Sequence, residues 1–272
     1  MMTGRSDLAS ECVQGLPGER VIRRQENGVT IEKVKIESEE HAQLTGKPVG
    51  TYVTARFPSL NFYASELAEK AEPVARELSA LLPKTGLILA AGLGNRQITP
   101  DALGPECADK LLATRHIAGD AAKAVGLGAL RPVAVISPGV LGQTGVETIE
   151  LLRAVCERIR PAAVIVIDAL AARETQHLGR TVQLCDTGIS PGAGVGNDRP
   201  AINEKSLGVP VIGIGVPTVI DARTMWEKAE NDLMVTPREI DMLIDRASKL
   251  IACAVNLALQ PDFDPVDLMN AV

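Results

Sequence analysis

Aromatic residues are nearly missing from this 272-residue chain, which has three Phe, two Tyr and one Trp. Its core must therefore be built from Ala, Val, Ile and Leu, the composition of buried parallel strands. Histidine is as scarce: His41, His116 and His177 are the only imidazoles. The five cysteines, Cys12, Cys107, Cys156, Cys185 and Cys253, are odd in number and never spaced C-x-x-C. That pattern fits free thiols in a reducing compartment and not a disulfide framework. No apolar run reaches the length of a membrane span, and the polar start MMTGRSDLASE is no signal peptide, so a cytoplasmic protein without a membrane partner is expected. Basic residues are outnumbered, 28 Lys and Arg against 34 Asp and Glu, for a net charge of -6. This excludes the broad basic face that direct nucleic-acid binding needs. No strict G-x-G-x-x-G follows a strand and no Walker lysine is present, which argues against a nucleotide cofactor; none is expected.

What is present is an ordinary globular composition, 46% hydrophobic and 23% charged, long enough for one large core. Residues 1 to about 27 are polar and weakly periodic. Strands are expected at 29–36 and 50–57, joined by a connection at 41–48 and forming a small β subdomain near 28–60. A helical period follows over 65–82. Apolar runs at 86–91, 132–137 and 162–167 read as buried strands, with Asp168 at the end of the last. A shorter strand is expected at 181–184, one or two more at 209–214 and 217–220, and helices at 144–160 and 236–259. A glycine-rich loop spans 189–197, and 261–272 is an acidic tail. Strands alternating with helices over 86–259 indicate an α/β, three-layer sandwich around a mostly parallel or mixed sheet.

The most informative stretch is Gly92-Leu93-Gly94-Asn95, continuing through Arg96 to Thr99-Pro100-Asp101. It reads as strand, glycine turn and capped helix: Thr99 suits the N-cap, Pro100 the first helical position, and Asp101 the first turn. Asp101 and Asp168 then follow two strands at one sheet edge, where open α/β sheets place their sites. Paired carboxylates repel, so one keeps its proton while the other ionises, the arrangement for activating water and polarising a carbonyl. The bland alternative is a helix-capping Asp and a hydrogen-bonded strand end. A metal site would need a third ligand, and His177, in the solvated-looking segment ETQHLGR, reads as a lone surface histidine.

With those residues in view, the chain resembles the germination protease family of spore-forming bacteria. The resemblance rests on GLGN-x-x-x-TPDALGP at 92–105, SPGVLGQTGVET at 137–148, VIDALAAR at 166–173 and DTGISPG at 186–192. It implies a phosphorylase/hydrolase-like fold and an aspartic-type endopeptidase with Asp101 and Asp168 as the catalytic pair. It also implies small acid-soluble, DNA-coating spore proteins as substrates, a homotetramer, and a place in the spore core. Gly92, Gly94 and Asn95 would shape the cleft, with Arg96, Arg173 or Arg199 reading the acid of the substrate. Ser6-Asp7-Leu8-Ala9-Ser10-Glu11 resembles the substrate cleavage pattern. The resemblance thus implies self-cleavage between Asp7 and Leu8, with residues 1–7 as a short propeptide and 8–260 as the peptidase domain. The competing reading is the related hydrogenase-maturation type of endopeptidase, in which the acids and a His hold nickel.

Overall fold

The computed structural model describes residues 6–13, 21–117, 130–196, 199–225 and 233–264. One nine-stranded mixed sheet runs through it, in the order β1-β2-β3-β7-β8-β6-β4-β5, with β9 pairing outside this path with β8. The strands are β1 Val21–Glu26, β2 Val29–Ile36, β3 Gly50–Arg56, β4 Ile88–Gly92, β5 Val133–Ile136, β6 Ala163–Ala172, β7 Thr181–Cys185, β8 Val211–Asp221 and β9 Met234–Val235. Strands β5, β4, β6 and β8 are parallel neighbours, whereas β1, β2, β3, β7 and β8 pair antiparallel. The sheet is therefore mixed, and β1 to β3 extend it through the β3–β7 pairing.

Alternation along the parallel strands sends side chains to two faces. Ile88, Ala90, Ile165 and Ile167 join one core with helices α3 (Leu67–Leu81), α4 (Leu103–Ala108) and α6 (Ile240–Leu259). Leu89, Ala91, Val164 and Val166 join a second core with Ile149, Leu152 and Cys156 of α5 (Thr148–Ile159). Three layers result, and burying each large aliphatic side chain contributes about 1.5–3 kcal/mol. A third cluster lies under the antiparallel half, where Ala9 and Val13 of α1 (Ala9–Val13) meet Val34, Ile36, Tyr52 and Cys185.

Several elements differ from the sequence expectation for physical reasons. Strand β1 is an edge strand with exposed residues on both faces, so it carries no apolar alternation. The 41–48 connection overlaps helix α2 (Glu39–Thr45), capped by Ser38 Oγ accepting from the His41 N–H at 3.2 Å and stopped by Gly46 in the left-handed region. With no buried residue, α2 has no stripe to read. Of the one or two strands expected over 209–214 and 217–220, the structure has one, β8. Pro217 sits beyond the β7 pairing and beside the register shift at Leu170/Ala171, where a missing N–H is tolerated.

Candidate active site

Strand β4 ends at Gly92, paired with Ile167 of β6, and the Leu93 N–H makes the last bond to the Ile167 carbonyl at 2.8 Å. Strand β6 continues to Ala172 along β8. Asp168 is thus not at the end of its strand, as expected, but is its first residue beyond the β4 partner. A cleft of ≈ 520 Å³ opens there, lined by Leu93, Gly94, Asn95, Asp101 and Asp168 among others. Its placement outside the carboxyl end of β4 is the usual one for α/β sheets.

The glycine turn is packed backbone on backbone. A Cβ at Gly92 would lie 2.0 Å from the Gly104 carbonyl oxygen, and one at Gly104 2.1 Å from that of Leu93. Gly94 has φ 113°, and its Cβ would meet the Asp101 carbonyl oxygen at 2.0 Å. Only glycine permits such an approach. Thr99 is not the cap it was expected to be. Ile98 holds that position without a side-chain bond, and Thr99–Asp101 form a 3-10 turn leading into α4. The turn is tied to the sheet by Thr218 Oγ1, which donates to the Pro100 carbonyl at 2.7 Å.

These contacts bring the two acids to one cleft. Asp101 is half-buried, and its Oδ2 accepts the Asn95 N–H at 2.7 Å. Burial pushes its carboxyl up from the ordinary value, partly offset by that N–H. Asp168 is 8% exposed, and its Oδ1 accepts the Ala169 N–H at 2.9 Å. Burial first, and then the charges of Asp101 and Asp7, push its carboxyl well up, against the Ala169 N–H. Asp168 therefore holds its proton to higher pH, and Asp101 is the member that ionises first.

The other sequence candidates divide. Gly94 and Asn95 line the cleft, and Asn95 Oδ1 also accepts from Gln143 Nε2 at 2.7 Å, tying the turn to the Leu141–Thr144 segment. Gly92 is the backbone seat described above and does not line the cleft. Arg96 points away from it, ion-paired with Asp109 at 2.6 Å and Glu106 at 3.2 Å. Arg173 is also outside the lining; its guanidinium donates to the Glu11 carbonyl. Arg199 does line the cleft, 3.3 Å from Glu147.

Two residues stand where the sequence did not place them. Asp7 lies in the cleft wall, its Oδ2 accepting the Ala171 N–H at 2.8 Å; the contact spans 164 positions and leaves no local signal. His177 is not a surface histidine: it is 4% exposed, its Nε2 3.6 Å from Glu174 Oε2 and 4.0 Å from Glu11 Oε1. None of the three histidines lines the cleft, so the nickel reading finds no imidazole beside the two aspartates.

The chain is similar to known proteins of one family. The family model described as germination protease, Peptidase A25, matches residues 2–231. The chain is 40% identical to the germination protease of Clostridium perfringens (strain ATCC 13124), over 87% of this chain and 86% of that protein. It is 37% identical to the germination protease of Clostridium tetani over 98% of both, and 44% identical to that of Bacillus cereus (strain AH187) over 80% of this chain and 63% of that protein. Among solved structures, a [NiFe] hydrogenase maturation protease, HycI, from Thermococcus kodakarensis is 17% identical at a TM-score of 0.37, covering 66% of this chain and 98% of that one. A cleft built around two strand-edge aspartates and a family match across most of the sequence converge on one assignment: the chain is a peptidase of the germination protease family.

Proposed function

We propose that the chain is a self-processing aspartic-type endopeptidase that starts the degradation of small acid-soluble spore proteins, with Asp101 and Asp168 as its catalytic pair. The observation that carries this reading is the unequal environment of two carboxylates in one cleft. Ionised Asp101 takes a proton from water as its oxygen attacks the peptide carbonyl carbon. Asp168 gives its proton to the peptide bond under attack, and the C–N bond breaks to leave an acid and an amine. Family membership supports the substrate class, a homotetramer and action in the spore core. Asp7 in the cleft wall supports self-cleavage between Asp7 and Leu8.

The test is incubation of wild-type protein with a small acid-soluble spore protein, with mass spectrometry of both proteins. The wild type should cut the substrate after an acidic residue and lose residues 1–7. Asp101→Asn and Asp168→Asn should each reduce both cuts by about 10²–10⁴-fold, as loss of a general acid or base does, while retaining the wild-type circular dichroism spectrum. Full activity in either variant would refute the assignment.

A further inference from the structure

The amino-terminal segment lies in a bed of contacts far denser than a loose end requires. The Asp7 N–H donates to the Ala171 carbonyl at 2.9 Å, while the Ala171 N–H returns a bond to the Asp7 carboxylate. The Asp7 carbonyl oxygen, which belongs to the peptide bond proposed to be cut, accepts two donors: Lys47 Nζ at 3.0 Å and Gln183 Nε2 at 2.9 Å. Lys47 Nζ also donates to the Ser6 carbonyl at 3.1 Å, and Gln183 Oε1 accepts the Ala9 N–H at 2.6 Å. One lysine and one glutamine therefore hold the main chain on both sides of that bond. Leu8 and Ala9 are fully buried.

Four residues beyond the bond, Glu11 is received just as specifically. Its Oε2 accepts the Arg173 N–H at 2.8 Å and its Oε1 the Glu174 N–H at 2.9 Å, while the Arg173 guanidinium grips the Glu11 carbonyl. Two backbone donors in fixed geometry recognise a carboxylate and leave an amide one acceptor short.

We infer that this bed is the substrate groove itself: Lys47 and Gln183 hold the carbonyl of the bond to be cut, and the Arg173–Glu174 amide pair reads an acid four residues downstream. The inference rests on the proteolytic reading above and goes beyond it by assigning the groups that select the peptide. The segment Ser6–Glu11 occupies the groove as an internal copy of the substrate. Main-chain capture by Lys47 and Gln183 accepts varied side chains, whereas the buried Leu8 position and the Glu11 clamp admit few.

The experiment compares self-cleavage of the full chain with cleavage in trans of a synthetic peptide copying residues 3–14, by protein that has finished cutting its own amino terminus. Lys47→Met and Gln183→Leu should each slow self-cleavage about tenfold and raise KM for the peptide about tenfold with little change in kcat. Lys47→Arg, which keeps a donor, should recover most of that loss. In the wild type, changing the peptide glutamate at the Glu11 position to glutamine should cost about tenfold in kcat/KM. Unchanged KM for both variants, with no penalty for the glutamine peptide, would overturn the groove and leave the bed a structural anchor only. A wild-type chain that cuts neither itself nor the peptide would instead overturn the proteolytic reading beneath it.

Discussion

Replacing Asp168 by asparagine should make the protein inactive and more stable, by an amount that grows with pH. The carboxyl is 8% exposed, has one N–H partner, and faces the charges of Asp101 and Asp7. Its folded pKa lies well above the ordinary 3.8, so the folded state holds this proton more tightly than the unfolded chain does. The linkage sign is then fixed: Asp168 costs nothing below the unfolded pKa and costs progressively more as pH rises toward the folded one. The cost has a ceiling, because the group protonates before it pays more. Between 3.8 and pH 7 there are about 3 units at 1.36 kcal/mol each, about 4 kcal/mol in all. At pH 5 the ceiling is lower, because that pH stands closer to the ordinary value. Asparagine keeps an oxygen for the Ala169 N–H and carries no charge, so it recovers about 1–4 kcal/mol at pH 7. At about 2–4 °C per kcal/mol this is a rise in Tm of about 2–16 °C, shrinking at pH 5. Thermal melts of both proteins at the two pH values, with intact amino termini verified by mass spectrometry, measure it. A Tm for Asp168→Asn that is no higher at pH 7, or a gain that fails to grow with pH, would refute the electrostatic account of the pair.

Two further outcomes follow from the site. Gly94→Ala should lose about 2–5 kcal/mol, combining strain at φ 113° with overlap on the Asp101 carbonyl; an unchanged urea midpoint would contradict the backbone-contact account. Chelator treatment should leave the cleavage rate of the wild type unchanged, since the proposed mechanism runs through two carboxylates and no histidine lines the cleft; loss of activity, restored by added metal, would favour the metal reading.

Much of the fold was legible because apolar periodicity survives wherever an element is buried on a defined face. Strands β2, β4, β6 and β7 and helices α3, α5 and α6 announce themselves this way. Strand β1 and helix α2 do not, being half-exposed or exposed along their whole length. Asp101 and Asp168 were legible for a related reason: an acid beside an apolar strand is costly and must have partners or a purpose. The groups around them were not. Charge alone did not place the arginines: Arg96 pairs with Asp109 and Glu106 outside the cleft lining, and Arg173 meets the Glu11 carbonyl, 162 positions away in sequence. His177 misled because its neighbours in sequence are polar, whereas it is buried, with Glu11 of the amino-terminal segment 4.0 Å from its ring. Long-range contacts between a chain end and the middle of a sheet leave no periodicity to read.

The seat formed by Gly92 and Gly104 has one more consequence, for sequence drift. Where side chains separate two elements, a rotamer change or a lost methylene shifts their spacing, and whatever they carry moves with them. Here main chain rests on main chain, so there is no rotamer to change. Substitutions in the surrounding core, at Leu103, Cys107 or Ile167, are expected to alter how firmly the layers hold while leaving Asp101 at its set distance from the strand edge. Stability and site geometry are thereby uncoupled: the protein can accumulate core changes until it nears its unfolding threshold and still present the same pair of acids.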